Sequence, residues 1–133
     1  MNLRFSSVLL GLAVGLLALG CDNSDDEPQP CTAATVLGAH CGSASGNYGF
    51  VLEVPADYPS SVSWTDPATG TTYQHVVTAL NLPAELQHRG HKIYFQAHPA
   101  TNAELAALGA RTTDCPAPPL LVTLEGFSTT PCR

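Results

Sequence analysis

Residues 47–54 read Asn47-Tyr48-Gly49-Phe50-Val51-Leu52-Glu53-Val54, and Pro55 follows them. The even-numbered positions are all aromatic or aliphatic, whereas glycine and glutamate stand among the odd-numbered ones. A period of two is typical of a β-strand, because successive side chains point to opposite faces. The segment therefore predicts a strand that presents one face to a hydrophobic core.

The same alternation recurs along the chain between turn-forming residues. Asp66-Pro67-Ala68-Thr69-Gly70 has the composition of a hairpin loop. Thr101 and Glu104 have the spacing of a capping box and predict one short helix, which Gly109 would end in a left-handed conformation. The predicted strands are Thr35–His40, Asn47–Val54, Ser61–Thr65, Thr71–Ala79, His91–Ala97 and Leu120–Phe127. Together they predict a mainly β domain, either a small five- to six-stranded barrel or a sandwich, with one short helix.

Length and charge restrict the classes of function. The chain has 133 residues, enough for one small domain, and a formal net charge of −6. From residue 31 onward it carries seven acidic and four basic side chains, a formal charge of −3. Without a basic face to neutralise phosphates, we expect no nucleic-acid partner. A chain this short also excludes a large enzyme scaffold.

Residues 1–20 are typical of a secretory signal, with the basic Arg4 followed by an apolar run too short to span a membrane comfortably. The end of this segment, Leu17-Ala18-Leu19-Gly20-Cys21, resembles the lipobox of bacterial lipoproteins, although Ala18 replaces the more usual leucine. The resemblance implies cleavage before Cys21, a diacylglyceryl group on its thiol and acylation of the new amine. Two or more acyl chains make such an anchor stable, so we expect the membrane itself to be one partner.

Residues 21–30 are acidic, contain proline and have nothing to bury, which predicts a disordered tether. An acidic run directly after a lipidated cysteine resembles the export signal of Bacteroidetes surface lipoproteins. The resemblance implies that the protein is located in the cell envelope, on the outer face of the outer membrane. A plain solvated spacer is the alternative, and in enterobacteria an aspartate after the cysteine indicates inner-membrane retention instead. Residues 31–133 then form the barrel domain.

Four cysteines follow Cys21: Cys31, Cys41, Cys115 and Cys132. An even number in a small exported domain predicts two disulfides, for which three connectivities exist. We favour Cys31–Cys132, because it would pin the two ends of the domain together. The wide spacing without a Cys-x-x-Cys pair argues against a zinc ribbon or a thioredoxin-like redox pair.

Three short segments resemble small Bacteroidetes lipoproteins. Residues 81–86 (Asn-Leu-Pro-Ala-Glu-Leu) and 90–95 (Gly-His-Lys-Ile-Tyr-Phe) are similar to one stretch of that family, and residues 36–42 are similar to its early Cys-Gly segment. The resemblance implies an OB-like five-stranded barrel. The prediction of a second disulfide, Cys41–Cys115, rests partly on this resemblance. The resemblance implies little about function.

His88 and His91 are the one pair of histidines at metal-ligand spacing, and imidazoles suit copper or zinc. Surface histidines at strand ends are the alternative interpretation. Trp64 and Tyr73 flank the hairpin turn, where aromatic rings either stack on sugars and peptide groups or fill space.

The sequence shows no nucleophile elbow and no paired acids, so we expect no catalytic residues, no enzyme activity and no cofactor beyond the lipid. We expect a non-catalytic binding or structural module with an envelope protein or a glycan as partner. The loops expected to meet it are Gly42–Asn47, Asp66–Gly70 and His88–His91. The competing hypothesis is an envelope lipoprotein that binds copper or zinc through His88 and His91.

Overall fold

The computed structural model describes residues 31–41, 48–109 and 117–132. Within them the chain is mainly β with one short helix, as predicted, and it has a 3₁₀ turn at Ala84–Leu86. The elements are β1 (Thr32–Ala39), β2 (Phe50–Glu53), β3 (Val62–Thr65), β4 (Thr72–Ala79), β5 (Lys92–Pro99), α1 (Asn102–Ala107) and β6 (Leu121–Ser128).

Five of the strands close into a barrel. The hydrogen-bonded order runs β1, β2, β4, β6, β5 and back to β1. Every pairing is antiparallel except that of β4 with β6, and β3 joins the sheet by pairing with β4. The barrel prediction is thereby confirmed and the sandwich alternative is wrong. The closed ring is compatible with an OB-like domain.

The predicted strand limits agree with the structure to within about three residues at each end. The starts of β1 and β2 differ most: β2 begins at Phe50 rather than at Asn47, and β1 begins at Thr32 rather than at Thr35. In β1 the strand is longer than predicted. Its first residues include Ala33 and Ala34, and alanine is a poor strand former. They are nevertheless extended because they pair with β5, where Thr32 lies opposite Phe95.

The inside of the barrel holds the alternating apolar residues that the sequence placed on one face of each strand. Closure removes both edges of the ring and buries these faces against one another. The buried residues of this cluster that lie on strands, or directly after β2 in the case of Val54, are Ala34, Val36, Leu52, Val54, Val77, Ala79, Ile93, Phe95, Val122 and Leu124.

A second hydrophobic cluster lies outside the ring. The β3–β4 hairpin lies over the outer face of β1 and β2, and it buries Leu37, Val51 and Val76 beneath Val62, Trp64 and Tyr73. The period-two pattern had placed Val51 on the face away from the core. It is fully buried instead, because the hairpin covers the outer face of the sheet at this point.

Gly49 permits the close approach of β2 to β4 at the start of β2. Its φ is +147°, and a Cβ on it would collide with the backbone carbonyl of Ala79. Glycine tolerates both the positive φ and the close approach of this carbonyl, because it has no Cβ.

Cys31 and Cys132 form a disulfide that joins positions 101 residues apart, with their Cα atoms 6.1 Å from each other. The favoured pairing of the two ends of the domain is confirmed. Cys41 is also disulfide-bonded, but its predicted partner Cys115 lies outside the described residues. So do the predicted signal, Cys21 and the tether. In the part of the chain that the structure describes, no helix has the length and apolar character needed to cross a membrane.

Candidate functional site

The two predicted metal ligands lie side by side in the loop before β5. The ring centroids of His88 and His91 are 5.3 Å apart, with the rings nearly perpendicular. Gly90, at a φ of +85°, allows the tight turn between them. Its N–H donates to the Val36 carbonyl at 2.8 Å, and the Val36 N–H donates to the His91 carbonyl at 2.9 Å. These bonds fasten the loop to β1.

A bound zinc ion usually has four ligands, of which two histidines supply half. Residues 31–41, 48–109 and 117–132 contain no group of three or more histidine, cysteine, aspartate or glutamate side chains arranged to hold a metal ion. The structure therefore brings the two predicted ligands together without adding a third from the described residues.

Arg89, between these histidines, reaches the hairpin loop at residues 66–70. Its guanidinium Nη2 donates to Asp66 Oδ2 at 2.5 Å. The arginine side chain is 46% exposed, whereas the aspartate is only 2% exposed. The pair thus joins two of the three loops that were predicted to meet a partner. The third, Gly42–Asn47, lies outside the described residues.

Asp66 stays ionised although it is buried. Burial alone would raise its pKa, but hydrogen bonds from the Ala68 N–H, from Arg89 and from the Thr69 hydroxyl lower the pKa below its ordinary value on balance. The sequence had suggested only an isolated aspartate beside a turn.

No pattern in the sequence predicts that Asp66 contacts Arg89. Gly38 is a weak indication that another part of the chain approaches β1 closely. The β1–β2 register shifts between Val36 and Gly38, and a glycine within a strand often marks a bulge or a close approach. A Cβ at Gly38 would lie 3.4 Å from the Arg89 guanidinium. The arginine therefore passes over β1 at the point where β1 has no side chain.

Four rings form an aromatic row beside this ion pair. Trp64 stacks between His40, with centroids 6.4 Å apart, and Tyr73, with centroids 6.2 Å apart. Tyr48 meets the His40 ring edge-on at 6.3 Å. All four residues are half-buried.

We call the aromatic row, the Arg89–Asp66 pair and the two histidines of the His88–His91 loop the loop face. His40 follows the end of β1, and Cys31 precedes its start. Eight residues of strand span about 26 Å. The aromatic row at His40 and the Arg89 guanidinium at Gly38 therefore lie towards the end of β1 that is far from the Cys31–Cys132 disulfide, whereas the His88–His91 loop is bonded to Val36 in the middle of the strand.

A separate polar cluster joins α1 to β5 and β6. His98 donates from Nδ1 to Glu125 Oε1 at 2.9 Å and from Nε2 to Glu104 Oε1 at 3.1 Å. Both nitrogens donate only in the protonated ring. Hydrogen bonds with Glu125 and then Glu104 raise the pKa of His98. Sequence reasoning found the capping box of Thr101 and Glu104, which is confirmed, but it missed His98 as the partner of that glutamate.

Glu104 is held in its charged form. A hydrogen bond from the Thr101 backbone, followed by bonds from the Thr101 hydroxyl and His98, lowers the pKa of Glu104 to about 2. The Thr101 N–H donates to its Oε2 at 2.7 Å. The first turn of α1 and the imidazole of β5 thus share one carboxylate.

The His98 cluster should stabilise the protein most between about pH 5 and pH 6. Because its pKa is raised from 6.5, His98 contributes stability below that value and loses it as the pH rises through the folded-state pKa. Glu104 contributes above its ordinary 4.5 and loses its contribution as the pH falls towards about 2. We expect the thermal midpoint of the wild type to exceed that of His98→Gln most near pH 5.5, and by less near pH 9. A difference independent of pH would contradict this assignment.

Comparisons with known proteins identify no family for this arrangement. No protein-family model matches the chain, and no curated protein sequence is significantly similar to it.

Proposed function

We propose that this chain is a bacterial lipoprotein whose barrel is a non-catalytic binding module at the cell envelope. The lipobox-like segment ending at Cys21 supports lipid attachment, and the acidic tether supports the outer membrane and its surface. The observation that carries the proposal is the separation, along β1, between the point where the tether joins the domain and the loop face. The tether joins the domain at Cys31, directly before β1, and the part of the loop face formed by the aromatic row and Arg89 lies towards the other end of that strand. A lipid anchor at one end then presents the loop face away from the bilayer.

The composition of the loop face favours a protein partner over a glycan. Trp64 meets a neighbouring ring on each side, His40 and Tyr73. A sugar needs a free ring face on which to stack, whereas a protein can pack against ring edges. Tryptophan, tyrosine and arginine are also the residues enriched at the centres of protein interfaces. Arg89 stays 46% exposed while it is held by Asp66, so its position is set before a partner arrives.

Lipid attachment is tested by metabolic labelling with an alkyne analogue of palmitate, followed by mass spectrometry of the N-terminal peptide. We expect a labelled peptide that begins at Cys21. The variant Cys21→Ser should lose the label, and the control Ser24→Ala should retain it. An unlipidated wild-type N-terminus, or label that persists in Cys21→Ser, would refute the anchor.

The binding role is tested by placing a photo-crosslinking amino acid at Ala68, which is exposed on the loop face, and at Ala107, which is exposed on α1. In intact cells we expect one discrete adduct from position 68 and none from position 107. An adduct whose added mass is removed by glycan-cleaving enzymes would identify a glycan, whereas an adduct that resists them and yields peptides of a second protein on digestion would identify a protein partner. Equal crosslinking at both positions would contradict a dedicated loop face.

Copper or zinc binding is the second candidate function, favoured by the 5.3 Å separation of the His88 and His91 rings. Native mass spectrometry of the detergent-extracted protein, purified without chelator, tests it. The metal hypothesis expects one metal per chain, lost in the double variant His88→Ala, His91→Ala and kept in His75→Gln, whose ring bonds to Ser61. A metal-free wild type after addition of either ion would exclude it.

A further inference from the structure

An apolar groove of about 600 Å³ opens near the disulfide end of the barrel. Its apolar wall comes from the barrel interior, and the loop between β2 and β3 covers one side of it. Pockets of about 300–1,000 Å³ are the usual size of small-molecule sites. The wall residues include Thr32, Tyr58, Phe95, Ala97, Leu120 and Val122.

The groove continues to the point where the tether enters the domain. A neighbouring cleft of about 420 Å³ is lined by Cys31 and Asp57, and it shares Thr32, Tyr58 and Pro59 with the groove. The two depressions therefore form one path, which runs from the first residue of the domain into the apolar wall.

The lip of the groove has an unusual backbone conformation. Ser60 has a φ of +59°, and it is the one non-glycine residue with positive φ among those the structure describes. Such strained positions persist only where the surroundings enforce them, and they cluster at ligand clamps.

We propose that this groove holds one acyl chain of the lipid attached to Cys21 of the same molecule. The inference rests on the lipidation put forward above. Ten residues separate Cys21 from Cys31, and an extended segment of that length reaches about 33 Å. Thr32, the residue after Cys31, already lines the groove. The lipid can therefore reach the groove without any rearrangement of the barrel.

The chemistry of the groove suits a hydrocarbon chain. Phe95, Ala97 and Val122 offer only apolar surface to an occupant. The side chains of the lining that carry polar groups are all partly or largely exposed: Thr32, Tyr58, Ser60, Gln96 and Glu125. The ester or amide group of an acyl chain can contact these polar side chains while the methylene groups of the chain are buried. A retracted chain leaves fewer chains in the bilayer, so the groove would provide a form of the protein that leaves the membrane more readily.

The test uses the full-length protein in its producing cells, fed a fatty acid that carries a photoactivatable diazirine. After illumination, protease digestion and mass spectrometry locate the residues joined to the lipid of Cys21. We expect crosslinks within one chain to residues 95–99 and 120–122. Lipid on Cys21 that crosslinks only to membrane lipid or to other proteins would overturn the groove assignment and leave the anchor intact. An unlipidated Cys21 would overturn both.

Two variants fill the groove at different places. Ala97→Phe occupies its wall, and Thr32→Phe blocks the path from the tether. Both should lose the crosslinks, while the matched control Leu105→Phe, on exposed α1, should keep them. Formation of the Cys31–Cys132 disulfide, read in the same digest, verifies that each variant has folded. Thr32→Phe preserves the test if Ala97→Phe does not fold. Groove crosslinks that persist in a folded variant would overturn the proposal.

Discussion

Replacing Phe95 with alanine is expected to lower the free energy of unfolding by about 3–5 kcal/mol. The phenyl ring is 2% exposed and is the largest of the fully buried side chains. It packs inside the barrel and meets the Tyr58 ring at 6.1 Å between centroids. The variant therefore loses buried apolar area and leaves a cavity that a closed ring of strands cannot collapse to fill. Urea denaturation of the oxidised protein measures the loss.

Phe127 provides the matched control. It lies opposite Phe95 in the β5–β6 register, yet its side chain is 49% exposed. Phe127→Ala removes the same atoms from a position that is already hydrated, so we expect a change within about 0.5 kcal/mol. Equal losses at the two positions would show that the barrel interior at Phe95 is not closed as described.

Removing the terminal disulfide through the double variant Cys31→Ser, Cys132→Ser should cost about 2–5 kcal/mol. The bond closes a loop of 101 residues, and a cross-link of that span strongly restricts the unfolded chain. It also matters more in a small domain, whose core supplies little net stability. The paired serines avoid a free thiol and leave the bond at Cys41 in place.

The same denaturation experiment measures this effect. Ser128→Ala, near the same end of the domain, is the control and removes only a hydroxyl that bonds to Thr130. An unfolding midpoint of the double variant that matches the control would contradict a stabilising role. A loss larger than 5 kcal/mol would indicate that the two ends no longer dock on the barrel.

Much of the fold could be predicted because its determinants are local. Alternation with a period of two marks a strand wherever one face is buried, so the core positions of β2, β4 and β5 were identified from residue type alone. Thr101 and Glu104 belong to one helical turn, and their three-residue spacing was enough to identify the cap. The even number of cysteines predicted disulfides, and the position of Cys31 and Cys132 near the ends of the domain favoured their pairing.

The sites depended on contacts between distant parts of the chain. Arg89 and Asp66 are 23 residues apart, and His98 and Glu125 are 27 residues apart. Their meeting follows from strand register, from the shift at Gly38 and from the hairpin that lies over the outer face. A local pattern contains no information on which strands become neighbours.

By itself, then, the sequence determined the mainly β class, the approximate strand and helix positions and the inward faces of the strands, because each depends on residues that are neighbours in the chain. Only the tertiary structure decided the closed ring, the second hydrophobic cluster under β3, the ionised Asp66 and the groove beside Thr32. Each of these exists because closure of the ring, or the hairpin that lies over it, brings together side chains that are far apart along the chain, and a local periodicity does not specify such contacts.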